Sequence, residues 1–329
     1  MASSTLSKEF KLDWGDPLIV RQALIETLGY DIPLIKQSLS DMGYPQHLGS
    51  PKLIELLKEL AFRQSGHKPK HLMVTCGCTG AIHAALHSLK GKYVDWVVTD
   101  DRYYPIYSSI ISVTTDMIMI NRDRKANYLK EGLVEKNFIS LIASPSAPDG
   151  FIYPFESVDI WDASYASRTY GIGPQQPAKW KIMCGSLSKT LGLSGLRLGW
   201  VSTDDDHLAE SLSDYVTASY IGLSSASQSI AEEVLYDLGL SRFEKRSAAY
   251  LDSNREEAQK LLNRFGQGSV PTRGMFCTLE LGKIERKALE RANIKWLSGS
   301  AWGEDDSWAR LSLGQTREIV RSAVKAALK

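Results

Sequence analysis

Four cysteines in 329 residues are too few for a disulfide scaffold. Their placement argues against structural zinc as well: Cys76 and Cys78 stand one residue apart, and no second pair offers metal-ligand spacing. Reduced core thiols are the expectation. No apolar run is long enough to span a bilayer, and the opening stretch MASSTLSKEFKLDWGDP has no apolar segment of signal-peptide length, so the expected location is cytoplasmic. Net charge is nearly absent too. With 39 basic and 38 acidic side chains, a balance of +1 gives no field to gather nucleic acid or an anionic membrane, which leaves small molecules as the expected partners. No internal repeat, low-complexity tract or linker interrupts the chain.

What is present is a chain that is 43% hydrophobic and long enough for a large domain with a smaller companion. HLMVTCG, YVDWVVTD, TDMIMINR, FISLIASPS, SVDIWDASY, KWKIMCGS and LRLGWVST read as strands, several too continuously apolar to have a wet face. Alternating with helical patterns, they predict an α/β fold with a mostly parallel, helix-covered sheet. Residues 206–238 read as mainly helical. The pattern then changes: a long charged helix, the short strands MFCTLEL and SWARLSL, and a last helix TREIVRSAVKAALK predict a smaller α+β domain. The expected division is 45–238 for the large domain, with 1–44 and 239–329 forming the small one.

Ligands of open α/β sheets bind at the carboxyl ends of strands, so the turns after these strands hold the candidates. GSLSKTLGLSGLRLGW, residues 185–200, carries Lys189 and, eight positions on, Arg197. It is not a P-loop, which needs glycine immediately before its lysine, where this chain has Ser188. Cys78-Thr79-Gly80 opens a helix whose free N–H groups suit a phosphate, although a plain helix cap has the same look. Asp162 ends SVDIWD, with Tyr165 three residues on. His83 and His87 share a helical face, but position 84 is alanine rather than the glutamate of a zinc-protease motif. They read as packing or solvent residues, and Trp161, Trp180 and Trp200 read as core.

Together these residues match one cofactor. Pyridoxal 5′-phosphate needs a lysine amine for its aldehyde, hydroxyls, N–H groups and an arginine for its phosphate, and a carboxylate for its ring nitrogen. At S-x-S-K followed by G-x-R-x-G-W the sequence resembles the class I/II aminotransferases, the fold type I pyridoxal-phosphate enzymes, and the resemblance extends over nearly the whole chain. It implies that Lys189 forms the internal aldimine and then shuttles the Cα proton. It implies phosphate ligands at Ser186, Ser188 and Arg197 and at the N–H groups of Cys78 and Thr79. Asp162 would pair with the pyridinium nitrogen, Tyr165 would bond the phenolic oxygen, and Tyr104 of DRYYPIY would stack on the ring. Tyr44 would reach the phosphate of a neighbouring subunit, implying a homodimer with shared sites, while Arg310 and Gly15 would hold the substrate α-carboxylate.

The chain departs from the family pattern at two places. SPSAPDG, residues 144–150, aligns with N-P-x-N-P-T-G, but Ala147 replaces the asparagine that donates to the cofactor's phenolic oxygen. The usual proline two residues before the stacking aromatic is here Arg102. The S-P and P-D-G flanks resemble the branch containing alliinase and plant tryptophan aminotransferase. The resemblance implies an aminotransferase moving an amino group between an amino acid and a 2-oxo acid, with a decarboxylase or β-eliminating lyase as the alternative. Arg102, Arg168 and Arg273 are each candidates for binding an acidic substrate side chain.

Overall fold

The computed structural model describes residues 9–29, 43–91, 95–123, 125–126, 138–152, 156–171, 179–271 and 273–329. The first strand, β1 (Phe10–Lys11), belongs to a peripheral pair. The next seven build the main sheet: β2 (His71–Cys76), β3 (Trp96–Thr99), β4 (Ile118–Asn121), β5 (Phe138–Ala143), β6 (Ser157–Asp162), β7 (Lys179–Ser186) and β8 (Leu198–Thr203). These are the seven runs that the sequence marks as strands, in the spatial order β2-β8-β7-β6-β5-β3-β4.

The five strands from β7 to β4 are parallel, whereas β8 runs antiparallel to both of its neighbours, β7 and β2. Two reversals cancel, so β2 ends on the same edge as the parallel strands. β8, by contrast, begins there. This one edge therefore collects the turns after β2, β3, β5, β6 and β7 together with the residue that enters β8.

Continuous apolar strands follow from burial on both faces. Leu141, Ile160 and Ile182 pack under Gly77–Leu89, which buries Ala81, Ile82, Ala84, Ala85 and Leu86. The alternate residues Ile142, Trp161 and Met183 point the other way, toward Ala61 of Pro51–Ser65. Trp161 and Trp200 are fully buried and Trp180 is half-buried against Trp161. Gly199 allows the closest approach: a Cβ there would stand 2.4 Å from the Gly77 carbonyl carbon and 2.7 Å from the Gly185 oxygen. The helix therefore starts directly against the sheet.

The remaining strands are β9 (Gly268–Ser269), β10 (Phe276–Glu280), β11 (Ile294–Lys295), β12 (Leu297–Ser298) and β13 (Trp308–Ser312). An antiparallel sheet runs β12-β13-β10-β9, and β1 pairs in parallel with β11. Helices Leu240–Phe265 and Arg317–Ala327 cover a core containing Leu261, Leu279, Leu311 and Val320. The amino-terminal segment lies beside β13, where the Ser312 N–H donates to the Leu12 carbonyl at 2.6 Å. Residues from all these parts, among them Ile19, Leu24, Leu57, Trp200, Phe243 and Met275, share one apolar cluster. No helix among the described residues is long and apolar enough to cross a bilayer.

Candidate active site

The sheet edge brings the sequence candidates together. Cys78, Thr79, Tyr104, Asp162, Tyr165, Ser186, Ser188, Lys189 and Arg197 all line one cavity of about 120 Å³, joined by Ile82, Ala147, Ser164 and Ser194. They come from five separate turns. Cys78 and Thr79 are the second and third residues of Gly77–Leu89, one residue further into the helix than the sequence reading has them, and N–H groups there have no partner within the helix.

Lys189 sits in the short helix Leu187–Thr190 after β7. Its main chain is pinned from below: the Tyr170 hydroxyl donates to the Lys189 carbonyl at 2.6 Å, and Thr169 Oγ1 donates to the Thr190 carbonyl at 3.1 Å. Its Nζ donates to the carbonyl of Gly15. Burial lowers the amine to about 8; the Asp16 carboxylate opposes the shift, and the Arg310 and Arg197 charges add to it. Near neutral pH a usable fraction of this lysine is therefore the nucleophilic free base.

Asp162 is buried at the end of β6, and both of its carboxylate oxygens are held. Tyr107 Oη donates to Oδ2 at 2.7 Å, while the Ser164 N–H at 3.0 Å and the Cys78 thiol at 3.4 Å donate to Oδ1. Burial first, then the Asp162 charge, raises both the Tyr107 phenol and the Cys78 thiol well above their ordinary values, so both remain donors. Tyr107 is a functional residue that the sequence reading misses. Its ring meets Tyr104 edge to face with centroids 5.5 Å apart. No signal in the chain marks it: Tyr104 stands in the loop after β3, and Tyr107 opens the helix Tyr107–Thr114. Burial also raises Tyr104 to about 12 and Tyr165 further, so both phenols stay protonated.

The two arginines differ. Arg197 precedes β8 in a left-handed conformation with φ of 52°, is exposed, and donates from Nη1 to the Ser194 carbonyl at 3.0 Å. A Cβ on Gly77 would stand 2.8 Å from Arg197 Nη2, so the glycine leaves the guanidinium its place beside the helix start. Arg310 lies in β13, paired with Thr278 and Leu297, and is 5% exposed. It rests 4.0 Å over the Phe276 ring and donates weakly from Nη2 to the Asp13 carbonyl at 3.4 Å, and its Nε has no hydrogen-bond partner among the described residues. Burial brings it down to about 10. A buried guanidinium with unfilled donors is built to receive an anion.

Some sequence candidates lie elsewhere; Arg310 is not among the residues lining the cavity and acts on it through its charge on Lys189. Gly15 approaches the site through its carbonyl on Lys189, and a Cβ there would lie 3.4 Å from Nζ. Tyr44 is 89% exposed and does not line the cavity. None of the three arginines considered for an acidic side chain lines it either. Arg102 is ion-paired to Glu304 and Asp149, Arg168 is exposed beside Glu244 and Asp252, and the Arg273 carbonyl is packed against Gly150.

The donor set fits pyridoxal 5′-phosphate. Hydroxyls of Thr79, Ser186 and Ser188, the Arg197 guanidinium and the free helix N–H groups share the cavity lining with the Asp162 carboxylate and the Lys189 amine. Comparison with known proteins agrees. The family described as aminotransferase class I and II matches residues 7–326. Tryptophan aminotransferase-related protein 2 of Arabidopsis thaliana is 25% identical over 278 residues, covering 74% of this chain and 62% of that protein. Alliin lyase of Allium cepa var. aggregatum is 25% identical over 311 residues, covering 81% and 68%. Tryptophan aminotransferase-related protein 1 of Oryza sativa subsp. japonica is 28% identical over 248 residues, covering 68% and 53%. The chain thus spans between half and two thirds of the length of the two tryptophan aminotransferase-related proteins. Among solved structures, an aromatic aminotransferase from Pyrococcus horikoshii OT3 superposes with a TM-score of 0.77 at 18% identity, covering 98% of this chain and 95% of that one, which shows the shared fold. With the family match running over almost its whole length, the chain belongs to the class I and II aminotransferases, a family of pyridoxal-phosphate-dependent enzymes.

Proposed function

We propose that this protein is a pyridoxal-phosphate-dependent aminotransferase acting on an amino acid and a 2-oxo acid. The observation that carries this reading is the convergence of Lys189, Asp162, Tyr165, Tyr104 and the Ser186–Ser188–Arg197 group on one cavity, with the buried Arg310 close enough to lower the Lys189 amine.

When bound, the cofactor supplies an electron sink for charge developing at the substrate Cα. The chain's own residues do the rest. Lys189 Nζ, lowered to about 8, would hold the cofactor by its aldehyde and, as a free amine, would take and return the Cα proton. Asp162, fixed by its three donors, would hold the ring nitrogen, Tyr165 would donate to the phenolic oxygen, and Tyr104 would lie over the ring. Arg310 would orient the substrate by its α-carboxylate, a charge-assisted contact made stronger by burial.

The similarity to alliin lyase favours a second reading as a β-eliminating lyase. A panel of amino acids mixed with the holoenzyme separates the two. Conversion of the cofactor to its amine form with a 2-oxo acid product supports the aminotransferase. Ammonia release with the aldehyde form retained supports the lyase. Borohydride reduction followed by peptide mapping should place the label on Lys189, and a label elsewhere removes the assignment.

We further propose a homodimer with composite sites, supported by the exposure of Tyr44 outside its own subunit's cavity. A fully active monomer by sedimentation contradicts it.

A further inference from the structure

Arg102 stands two residues before Tyr104, in the loop between β3 and the helix Tyr107–Thr114, where the family pattern has proline. Proline stiffens a loop through its own ring. Arginine has no such local constraint, and any order it imposes must come from its contacts.

Those contacts reach two distant segments. Nε donates to Glu304 Oε1 at 2.6 Å, Nη1 lies 3.5 Å from Asp149 Oδ2, and the guanidinium faces the rings of Trp308 at 4.9 Å and Trp302 at 5.7 Å. Asp149 is fully buried, in the turn that places Ala147 in the cavity wall. Glu304 and Trp302 belong to the segment leading into β13, the strand of Arg310, and Trp308 opens that strand. The backbones meet as well: the Tyr103 N–H donates to the Trp302 carbonyl at 3.1 Å, and a Cβ on Gly303 would lie 1.9 Å from the Asp101 oxygen, at a φ of +100°. The loop that carries Tyr104 is thus tied on one side to the Ala147 turn and on the other to the approach to Arg310.

We propose that Arg102 is a positioning residue, which fixes the face of Tyr104 in the cavity by bridging Glu304 and Asp149. The inference rests on the reading of the cavity as a pyridoxal-phosphate site, and it assigns to tertiary ion pairs the stiffness that proline provides elsewhere in the family.

The test compares wild type with Arg102→Ala, Glu304→Gln and Arg63→Ala, the last removing an ion pair of the same 2.6 Å length, Arg63–Glu244, neither member of which lines the cavity. Three quantities are read: melting temperature without cofactor, affinity for added pyridoxal phosphate, and circular dichroism induced in the bound cofactor's visible band. Arg102→Ala is expected to weaken cofactor binding roughly tenfold, the scale of about 1.4 kcal/mol, and to diminish the induced signal, with Glu304→Gln in the same direction. Arg63→Ala should lower melting while leaving affinity and signal unchanged. Wild-type affinity and dichroism in a folded Arg102→Ala protein overturn the proposal, as does a loss matched by Arg63→Ala. Should Arg102→Ala fail to fold, Glu304→Gln decides alone. If wild type itself binds no pyridoxal phosphate, the functional reading falls first and this inference with it.

Discussion

The two arginines of the site present the same group at opposite costs. Arg197 is exposed, enters from a turn and keeps its guanidinium in water; Arg310 is 5% exposed, lies in the middle of a sheet and rests on a phenylalanine ring. Taking a guanidinium out of water is expensive, and a protein tolerates it where an exchangeable anion must be recognised with geometry and strength. An anion held by hydroxyls and helix N–H groups as well needs no buried cation. On the proposed function, the difference suits Arg197 to a resident anion and Arg310 to an exchangeable one.

Breaking the buried end should have the largest effect. Arg310→Ala is expected to raise the amino-acid KM by roughly 10- to 100-fold, the range for losing a charge-assisted contact, with cofactor affinity nearly unchanged. Steady-state kinetics beside a cofactor titration reads both. Arg310→Lys should restore little, because a compact ammonium cannot offer the planar fork.

At the exposed end, Arg197→Ala should weaken cofactor binding about tenfold or less and leave KM for the amino acid close to wild type, since water and the remaining donors screen the loss. Here Arg197→Lys should restore most of the affinity. Equal behaviour of the two lysine variants contradicts the contrast between the ends.

Lys189 senses both charges, and its titration compares them directly. Its folded value of about 8 lies below the ordinary lysine range, so the free base, and with it the rate of cofactor capture by the apoprotein, rises as pH increases through about 8 and levels off above. Removing either arginine removes a charge that disfavours the ammonium form, so the midpoint moves up in both alanine variants. The Arg310 charge acts more strongly on Lys189 than the Arg197 charge does, so its removal should give the larger rise. Stopped-flow absorbance against pH measures the midpoints.

The smallest effect is expected at Tyr107. Tyr107→Phe removes the donor to one oxygen of Asp162 while the Ser164 N–H and the Cys78 thiol keep the other. Exchange of the substrate Cα proton should slow by about fivefold, in keeping with about 1 kcal/mol for one lost hydrogen bond, with cofactor still bound.

Much of this arrangement was legible in the chain. Seven apolar runs became seven strands because burial on both faces leaves a continuous signal, and S-x-S-K with G-x-R-x-G-W singled out Lys189 and Arg197, which the structure brings to one cavity. The pairs β1–β11 and β12–β13 were missed, at least in part because strands of two residues are too short to show a period. Tyr107 could not be chosen among the tyrosines of DRYYPIY, since its partner lies 55 positions away. Arg102 reads as a free cation until Glu304, 202 residues on, is seen beside it.

The reversal of β8 has one more consequence. Lys189 leaves the sheet at the end of β7 and Arg197 returns to it at the start of β8, and the two strands close on each other at Ser186 and Gly199. The proposed covalent anchor and the proposed phosphate cation are therefore carried on a single hairpin connection, whose ends are fixed by strand pairing and whose middle is held by Tyr170, Thr169 and Arg21. In engineering terms residues 187–197 form a cassette: transplanted between two strands closed in the same register, they bring both groups along at their native spacing only if the partners of Lys189, Thr190, Gly192 and Ser194 travel with them. A single residue inserted between them changes that spacing while leaving every strand of the sheet in place.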